Sequence, residues 1–391
     1  MSPLQTTIVI CARNAASTIA RAVESALCQG RVSIIVVDDG SSDDTSAVAV
    51  EAGDGAVTIV KPECKIGLGN ARQAGIERVE TEYAMWLDAD DALMSGRIEA
   101  MERELRNGAD VVFDGAELIR PVDNKWIREL AMPDFMLDPG ALVRTFERNY
   151  LPGPAWPAVR TEVAKKVGYD TALPTGEDLD FNLRVLRSSA RIKMLPRIGY
   201  RQYAYPQSLS RNIRLQRSAV KSVMKKHSYA EVGKLFNHFG FSARVASWAL
   251  CSMAIFRDEY GKAALFLQEA LPARSDPSEI LELEGTLPIQ EARKQAFFAG
   301  TLELLLEGEE AVTFLERAEG IRPTAEGANN LGVAYHRSGE STKAKNQFQL
   351  AVSRLEGYRD ALINSETSES PGQITTHPIR MQSSRSEYSV V

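Results

Sequence analysis

The 391-residue sequence predicts an α/β domain followed by an all-α helical-repeat domain. Three observations carry that expectation. Up to about residue 115, short and nearly continuous apolar runs alternate with amphipathic helical patterns, which implies a parallel sheet covered on both faces. From residue 244 onward, helix follows helix, with small residues at recurring offsets. Hydrophobic residues make up 44% of the chain and charged residues 25%, an ordinary globular balance over a length that holds two or three cores.

Residues 7–11, Thr7-Ile8-Val9-Ile10-Cys11, read as a buried strand. A helix follows with its apolar stripe at Ile19, Val23 and Leu27, and Asn14 or Ser17 is the expected cap. Residues 33–37 form a second strand that ends in Asp38-Asp39-Gly40-Ser41-Ser42, a turn leading into the next helix. Residues 57–60, 83–87 and 111–113 are further strands. Residues 70–79 and the stripe Ile98, Met101 and Leu105 are the helices between them. In a sheet of this kind ligands bind outside the carboxyl ends of the strands, so the residues just after each strand are the first candidates for function.

In the second half, Ala311, Leu315 and Ala318 stand at offsets 0, 4 and 7, and Ala344, Phe348 and Ala351 repeat the pattern 33 residues later. Ala263, Leu267 and Ala270 form a more degenerate copy. The spacing resembles the tetratricopeptide repeat, in which small residues let paired helices approach closely; a plain helical bundle is the alternative. The expected organisation is a catalytic domain over 1–215, a basic connector over 216–243, repeats over 244–358 and a disordered Ser/Thr-rich tail over 359–391.

Composition excludes several functions. The balance of 46 basic against 52 acidic residues, net −6, does not suit a general nucleic-acid binder. Cys11, Cys28, Cys64 and Cys251 form no CxxC pair, so neither a disulfide framework nor a zinc site is expected. The first of four histidines is His227, so chemistry in the first 226 residues proceeds without imidazole. No run approaches the ~18 apolar residues of a membrane span, and the N-terminus lacks a signal-peptide pattern. The expected location is the cytoplasm, with at most peripheral contact at the inner membrane surface. Such contact would come from the stretch 211–226, rich in Arg and Lys and free of acids, which is either a lipid-facing amphipathic helix or a solvated connector.

Four segments carry candidate chemistry. Asp88-Ala89-Asp90-Asp91 follows a strand, so Asp88 and Asp90 can converge as hard oxygen donors for Mg²⁺ or Mn²⁺; an acidic helix cap is the other reading. Asp38 and Asp39 stand on the same edge, where a carboxylate can accept from a base or ribose. Gly67-Leu68-Gly69-Asn70-Ala71-Arg72 opens a helix. It lacks the third glycine of the dinucleotide fingerprint, no Walker A sequence is present, and Arg72 and nearby Lys65 supply cations. Gly176-Glu177-Asp178-Leu179-Asp180 leads into a helix over 181–186, where the acids either favour the helix dipole or supply a general base.

Taken in order, Cys11-Ala12-Arg13-Asn14, Val37-Asp38-Asp39-Gly40, Gly67 through Arg72, Asp88-Ala89-Asp90-Asp91 and Gly176-Glu177-Asp178 resemble the family-2 inverting glycosyltransferases of GT-A fold, over roughly residues 5–215. The resemblance implies a Rossmann-like nucleotide-sugar domain. It implies that Cys11, Ala12, Arg13, Asp39, Gly67, Arg72, Asp88 and Ala89 line the nucleotide site, that Asp88 and Asp90 bind the metal, and that Asp178, with Glu177 beside it, deprotonates the acceptor. Ala155-Trp156 and Val167-Gly168-Tyr169 resemble the segment before that last motif. Arg13 stands where relatives often carry an aromatic, and Tyr205 where many carry a histidine. The expected donor is a UDP-sugar and the acceptor a glycan, a lipid-linked sugar or a protein, with the repeats binding a protein partner or a long acceptor. The alternatives are an inactive GT-A-like module on a repeat scaffold, or a nucleotidyltransferase on a similar sheet.

Overall fold

The computed structural model describes residues 5–62, 67–130, 132, 134–147, 149–151, 157–205, 213–270, 288–355, 361–362 and 364–365. The expectations attached to Lys65, Ala155, Trp156, residues 206–212 and most of the 359–391 tail lie outside the described residues. The chain divides into two compact units, one of Met1–Thr145 with Asn149–Lys226 and one of Phe146–Arg148 with His227–Val391.

The first unit is built on a nine-stranded sheet. Strands β1 (Thr6–Ala12), β2 (Ser33–Asp38), β3 (Val57–Val60) and β4 (Tyr83–Asp88) lie in the order β3-β2-β1-β4, all parallel. Ile8, Val9, Ile10, Ile34, Val36, Val37, Ala84 and Met85 are fully buried in it. Their near-continuous apolar runs are what a sheet covered on both faces requires. The covering helices here are α1 (Ile19–Leu27), α2 (Thr45–Ala52) and α3 (Leu68–Glu77). Helix α3 lies close to the sheet because of Gly75, where a Cβ would stand 2.5 Å from Val9 Cγ1.

Beyond β4 the expected all-parallel sheet becomes mixed. Strand β5 is the pair Ala92–Leu93, and α4 (Arg97–Arg106) leads to a hairpin of β6 (Val111–Arg120) and β7 (Lys125–Leu130). The three-residue β8 (Ala158–Arg160) slots antiparallel between β4 and β6. Helices α5 (Thr161–Val167) and α6 (Glu177–Arg187) then lead to β9 (Ile192–Tyr203), parallel to β6 and antiparallel to β5. Three residues are too few to show a period, and β9 carries Pro196 and several charges, so neither strand stands out in the sequence.

Helix α7 (Ile213–Lys225) closes the first unit. Its Ala219, Val223 and Met224 are buried, and a Cβ on Gly176 would stand 3.0 Å from Ala219. Lys226 Nζ lies 2.5 Å from both Asp170 and Asp180. These apolar residues pack onto the start of α6, so this part of the basic stretch is neither lipid-facing on its apolar side nor a bare connector.

The second unit is helical: α8 (Tyr229–His238), α9 (Ala243–Phe256), α10 (Tyr260–Ala270), α11 (Pro288–Leu305), α12 (Ala311–Ile321), α13 (Ala325–Arg337) and α14 (Ser341–Arg354). Helices α9 and α10, α11 and α12, and α13 and α14 pack as successive pairs. The residues at offsets 0, 4 and 7 on α10, α12 and α14 are all buried. A Cβ on Gly300 would stand 2.6 Å from Leu315, and one on Gly332 2.6 Å from Phe348, so small residues set the approach in two pairs. Phe146 meets the His227 ring edge-on at 5.0 Å, and Trp248 Nε1 donates to Glu147 Oε1 at 3.2 Å, within this unit. Among the described residues no helix is long and apolar enough to cross a membrane.

Candidate active site

Register brings the first motifs together. Cys11 pairs with Val37 on one side and with Asp88 on the other, and Ala12 pairs with Asp38, so three strands end on one edge. Beyond β1, Asn14 takes φ 50°, a left-handed conformation that asparagine tolerates. It does not cap α1: its N–H donates to Ser41 Oγ at 2.9 Å, and its Oδ1 accepts from the Ser42 N–H at 2.8 Å. The loops after β1 and β2 are thereby clasped. Ala12 is buried and Arg13 is exposed on the rim.

The two acids after β2 do different work. Asp38, 1% exposed, accepts from the Ser41 N–H at 2.8 Å, from the Ser46 hydroxyl, and faces Lys61 at 3.7 Å. Burial pushes its carboxyl up, but these donors outweigh burial and hold it below the ordinary carboxylate value. Asp39 accepts from the Gly67 N–H at 3.1 and 3.2 Å. Gly67 has φ 82°, open to glycine without strain, so Asp39 fixes the glycine loop at the start of α3.

After β4 the chain turns through Asp88 to Asp91. Asp91 is buried, accepts from the Tyr200 hydroxyl at 3.0 Å and from the Tyr203 N–H at 2.8 Å, and burial holds its carboxyl well above the usual range. Tyr200 also accepts from the Asp88 N–H at 3.0 Å. With its ends pinned to β9, the turn presents Asp88 and Asp90, while Ala89 is buried. Burial first, and the Asp88 charge second, raise the Asp90 carboxyl to about 6. Arg21 of α1 donates to the Asp90 carbonyl and to the Tyr205 hydroxyl at 3.3 Å, and lies over the Tyr203 ring at 3.7 Å. Nothing in the spacing of α1 marks Arg21 as part of this site. Among the described residues no group of three or more His, Cys, Asp or Glu is arranged to hold a metal.

Arg72 joins the remaining motifs. It is 3% exposed, lies 3.2 Å from Asp88, and forms an ion pair with Glu177, itself 2% exposed. The glycine loop, the acidic turn and the Glu177-Asp178 motif therefore meet at one guanidinium. Helix α6 starts at Glu177 rather than at 181, so Glu177 and Asp178 occupy its first turn, where acids favour the helix dipole. Gly176, at φ 82°, sets the entry. Asp178 is half-buried, and its Oδ1 accepts from the Leu179 N–H at 2.8 Å. The approach to this turn is stitched to α3: a Cβ on Gly69 would stand 3.0 Å from the Asp170 carbonyl, Asn70 Nδ2 donates to the Thr171 carbonyl at 3.2 Å, and the Tyr169 N–H donates to Gln73 Oε1 at 2.8 Å. Cys11 shares the electrostatic surroundings of Arg72, Asp88 and Asp39. Burial pushes its thiol up to about 12, against the pull of Arg72, so it is a neutral wall.

Residues 7–160 match the Glycosyl transferase family 2 model. The matched segment runs from β1 through β8, includes the turn at Asp88, and ends before α6. The Succinoglycan biosynthesis protein ExoO of Rhizobium meliloti (strain 1021) is 30% identical over 233 residues, and the Succinoglycan biosynthesis protein ExoU of the same organism is 32% identical over 223. Each match takes in 54% of this chain, and the chain spans 63% and 65% of the two relatives' lengths. The crystal structure of S. aureus TarS 1-349 in complex with UDP-GlcNAc superposes with TM-score 0.50 at 15% identity, covering 86% of this chain and 93% of that one. That likeness establishes the shared fold, a GT-A domain followed by helices.

Proposed function

We propose that the chain is an inverting glycosyltransferase that moves a sugar from a UDP-sugar to an acceptor hydroxyl in the synthesis of a glycan. The observation that carries this is Arg72, which joins Asp88, at the end of β4, to Glu177, the neighbour of Asp178. The family-2 match over residues 7–160 and the relatives named for succinoglycan biosynthesis support the reaction class. The UDP-GlcNAc complex of TarS supports a UDP-sugar donor.

Asp39, Gly67, Ala12 and Cys11 would frame the base and ribose, with Arg13 on the rim. Asp88 and Asp90 are suited to hold Mg²⁺ or Mn²⁺. Two adjacent carboxylates, one raising the other's proton affinity, make a hard anionic donor set, and phosphate and water can supply the other ligands. When bound, the ion supplies positive charge beside the departing diphosphate. The remaining work belongs to the chain. Arg72 fixes Asp88 and Glu177, and Asp178, half-exposed at the start of α6, takes the proton of the acceptor hydroxyl as it attacks the sugar. Glu177 cannot share that task while it is buried against Arg72; it acts by holding Arg72 and the first turn of α6.

The helical unit is proposed as repeats of tetratricopeptide type that bind a protein or a long acceptor, since α10, α12 and α14 each bury a triad at offsets 0, 4 and 7. A panel of nucleotide-sugars scored by thermal shift with Mn²⁺ tests the donor, because a true ligand stabilises the folded chain. Asp178→Asn is expected to bind UDP and lose transfer, and Asp90→Ala to lose the response to Mn²⁺. No stabilisation by any nucleotide-sugar would refute the function, and full activity of Asp90→Ala would refute the metal assignment.

A further inference from the structure

Tyr169 lies between α5 and α6, and three elements hold it. Its N–H is bound by Gln73 of α3, its ring stacks on Phe181 of α6 at 4.8 Å and 15°, and Trp86 of β4 meets it edge-on at 5.8 Å. The side chain is 6% exposed, and its hydroxyl finds no hydrogen-bond partner among the described residues. A buried hydroxyl left without a partner is costly, and a fold that keeps one at a candidate site needs a reason for it.

The titratable groups close enough to act electrostatically on the phenol are Arg72 from α3, Cys11 from β1, and Asp178 and Arg184 from α6, and Asp178 lies one helical turn before Phe181, toward the α6 face on which the ring stacks. Both arginines only donate. The Cys11 thiol is neutral and a weak acceptor. Among these groups Asp178 alone offers a strong acceptor. Its Oδ1 already takes the Leu179 N–H, which leaves Oδ2 for a second donor. Burial keeps the phenol protonated, so it is a donor at any working pH.

We propose that Tyr169 is a positioning residue for transfer: with substrates bound, its hydroxyl donates to Asp178 Oδ2 and holds that carboxylate toward the acceptor hydroxyl. The proposal rests on Asp178 being the base. Catalytic hydrogen bonds that are long in a free enzyme tighten in the loaded one, and the proposal asks the Asp178 side chain to turn toward the phenol. Tyr169 keeps its proton throughout, and the acceptor's proton goes to Asp178.

The test is Tyr169→Phe, which preserves the stacking and removes only the oxygen. The probes are UDP with Mn²⁺ for binding and the release of UDP from UDP-GlcNAc or UDP-glucose for turnover, water or a sugar serving as acceptor. The expected result is UDP affinity and donor KM within about twofold of the parent and kcat lowered about tenfold, the scale of one hydrogen bond to a charged group. In an Asp178→Asn background the same substitution is expected to change the residual rate less than about twofold, because the group it positions is already gone. A parental kcat in Tyr169→Phe, or an equal loss in both backgrounds, would overturn the proposal. A parental rate in Asp178→Asn alone would remove the base assignment itself, so the two failures are told apart by that single variant.

Discussion

Arg72→Met is the substitution whose consequence the structure defines most fully. The methionine fills much of the same space but removes the charge shared by Glu177 and Asp88. Asp88 keeps 31% of its side chain in solvent and can be rehydrated, whereas Glu177 is 2% exposed and would be left buried without its cation. Breaking a buried pair from one side costs about 3–5 kcal/mol. For a domain of roughly 150–250 residues, each kcal/mol lowers Tm by about 2–4 °C, so a fall of about 6–20 °C is expected. Glu177→Gln is expected to cost less, since Arg72 retains Asp88. The double variant Arg72→Met/Glu177→Gln should recover part of the loss, because no buried charge is then stranded. Thermal unfolding followed by circular dichroism, with each variant at the same pH and salt, measures all four proteins of the cycle. A Tm within about 2 °C of the parent for Arg72→Met, or a double variant no better than that single one, would refute the view that this arginine holds the site together.

Other outcomes are equally specific. Asp38→Ala should destabilise by about 1–3 kcal/mol, since the Ser41 N–H and the Ser46 hydroxyl lose their acceptor. Because the folded Asp38 carboxyl sits below its ordinary value, its contribution is fully present above that value and is lost as pH falls through the folded one. Denaturant titrations below pH 4 should accordingly show a shallower pH dependence in Asp38→Ala than in the parent. Gly75→Ala places a Cβ 2.5 Å from Val9 Cγ1 and 3.2 Å from Val37 Cγ2, so overpacking of about 1–3 kcal/mol should lower its denaturant midpoint. Tyr200→Phe removes the hydroxyl that joins Asp91 to the Asp88 N–H, and should weaken Mn²⁺-dependent UDP binding measured by calorimetry.

The parts of the fold that were legible are those in which a local pattern and the tertiary outcome agree. Strands β1, β2 and β4 are apolar along their length because helices cover both sides, and the acids follow them because carboxyl ends face the ligand edge. Strand β8 takes its place only because β4 and β6 leave a slot for three antiparallel residues, which nothing in Ala158–Arg160 announces. The sequence places the helix over 181–186 with the acids at its entry, whereas α6 starts at Glu177, because Glu177 and Asp180 are buried and paired within its first turn. Candidate residues could be named one motif at a time. Their joint dependence on Arg72 could not, because an arginine inside an amphipathic helix looks solvated until its long-range partners are known. Asn14 shows the same limit at shorter range: it resembled a helix cap, but it binds the next loop along the sheet edge.

The three-residue contribution of the first half of the chain to the helical unit bears on how this protein could be divided or recombined. Phe146 and Glu147 are encoded within the α/β sequence, yet they pack with His227 and Trp248 of the helical unit. The helices are thus not a cassette joined at one seam, because their wall is supplied from two places along the gene. A fragment beginning at residue 227 would lack the Glu147 carboxylate that accepts from the Trp248 indole N–H, and one ending at 226 would lose that indole. Exchange of this helical region between relatives would have to carry that short upstream segment as well.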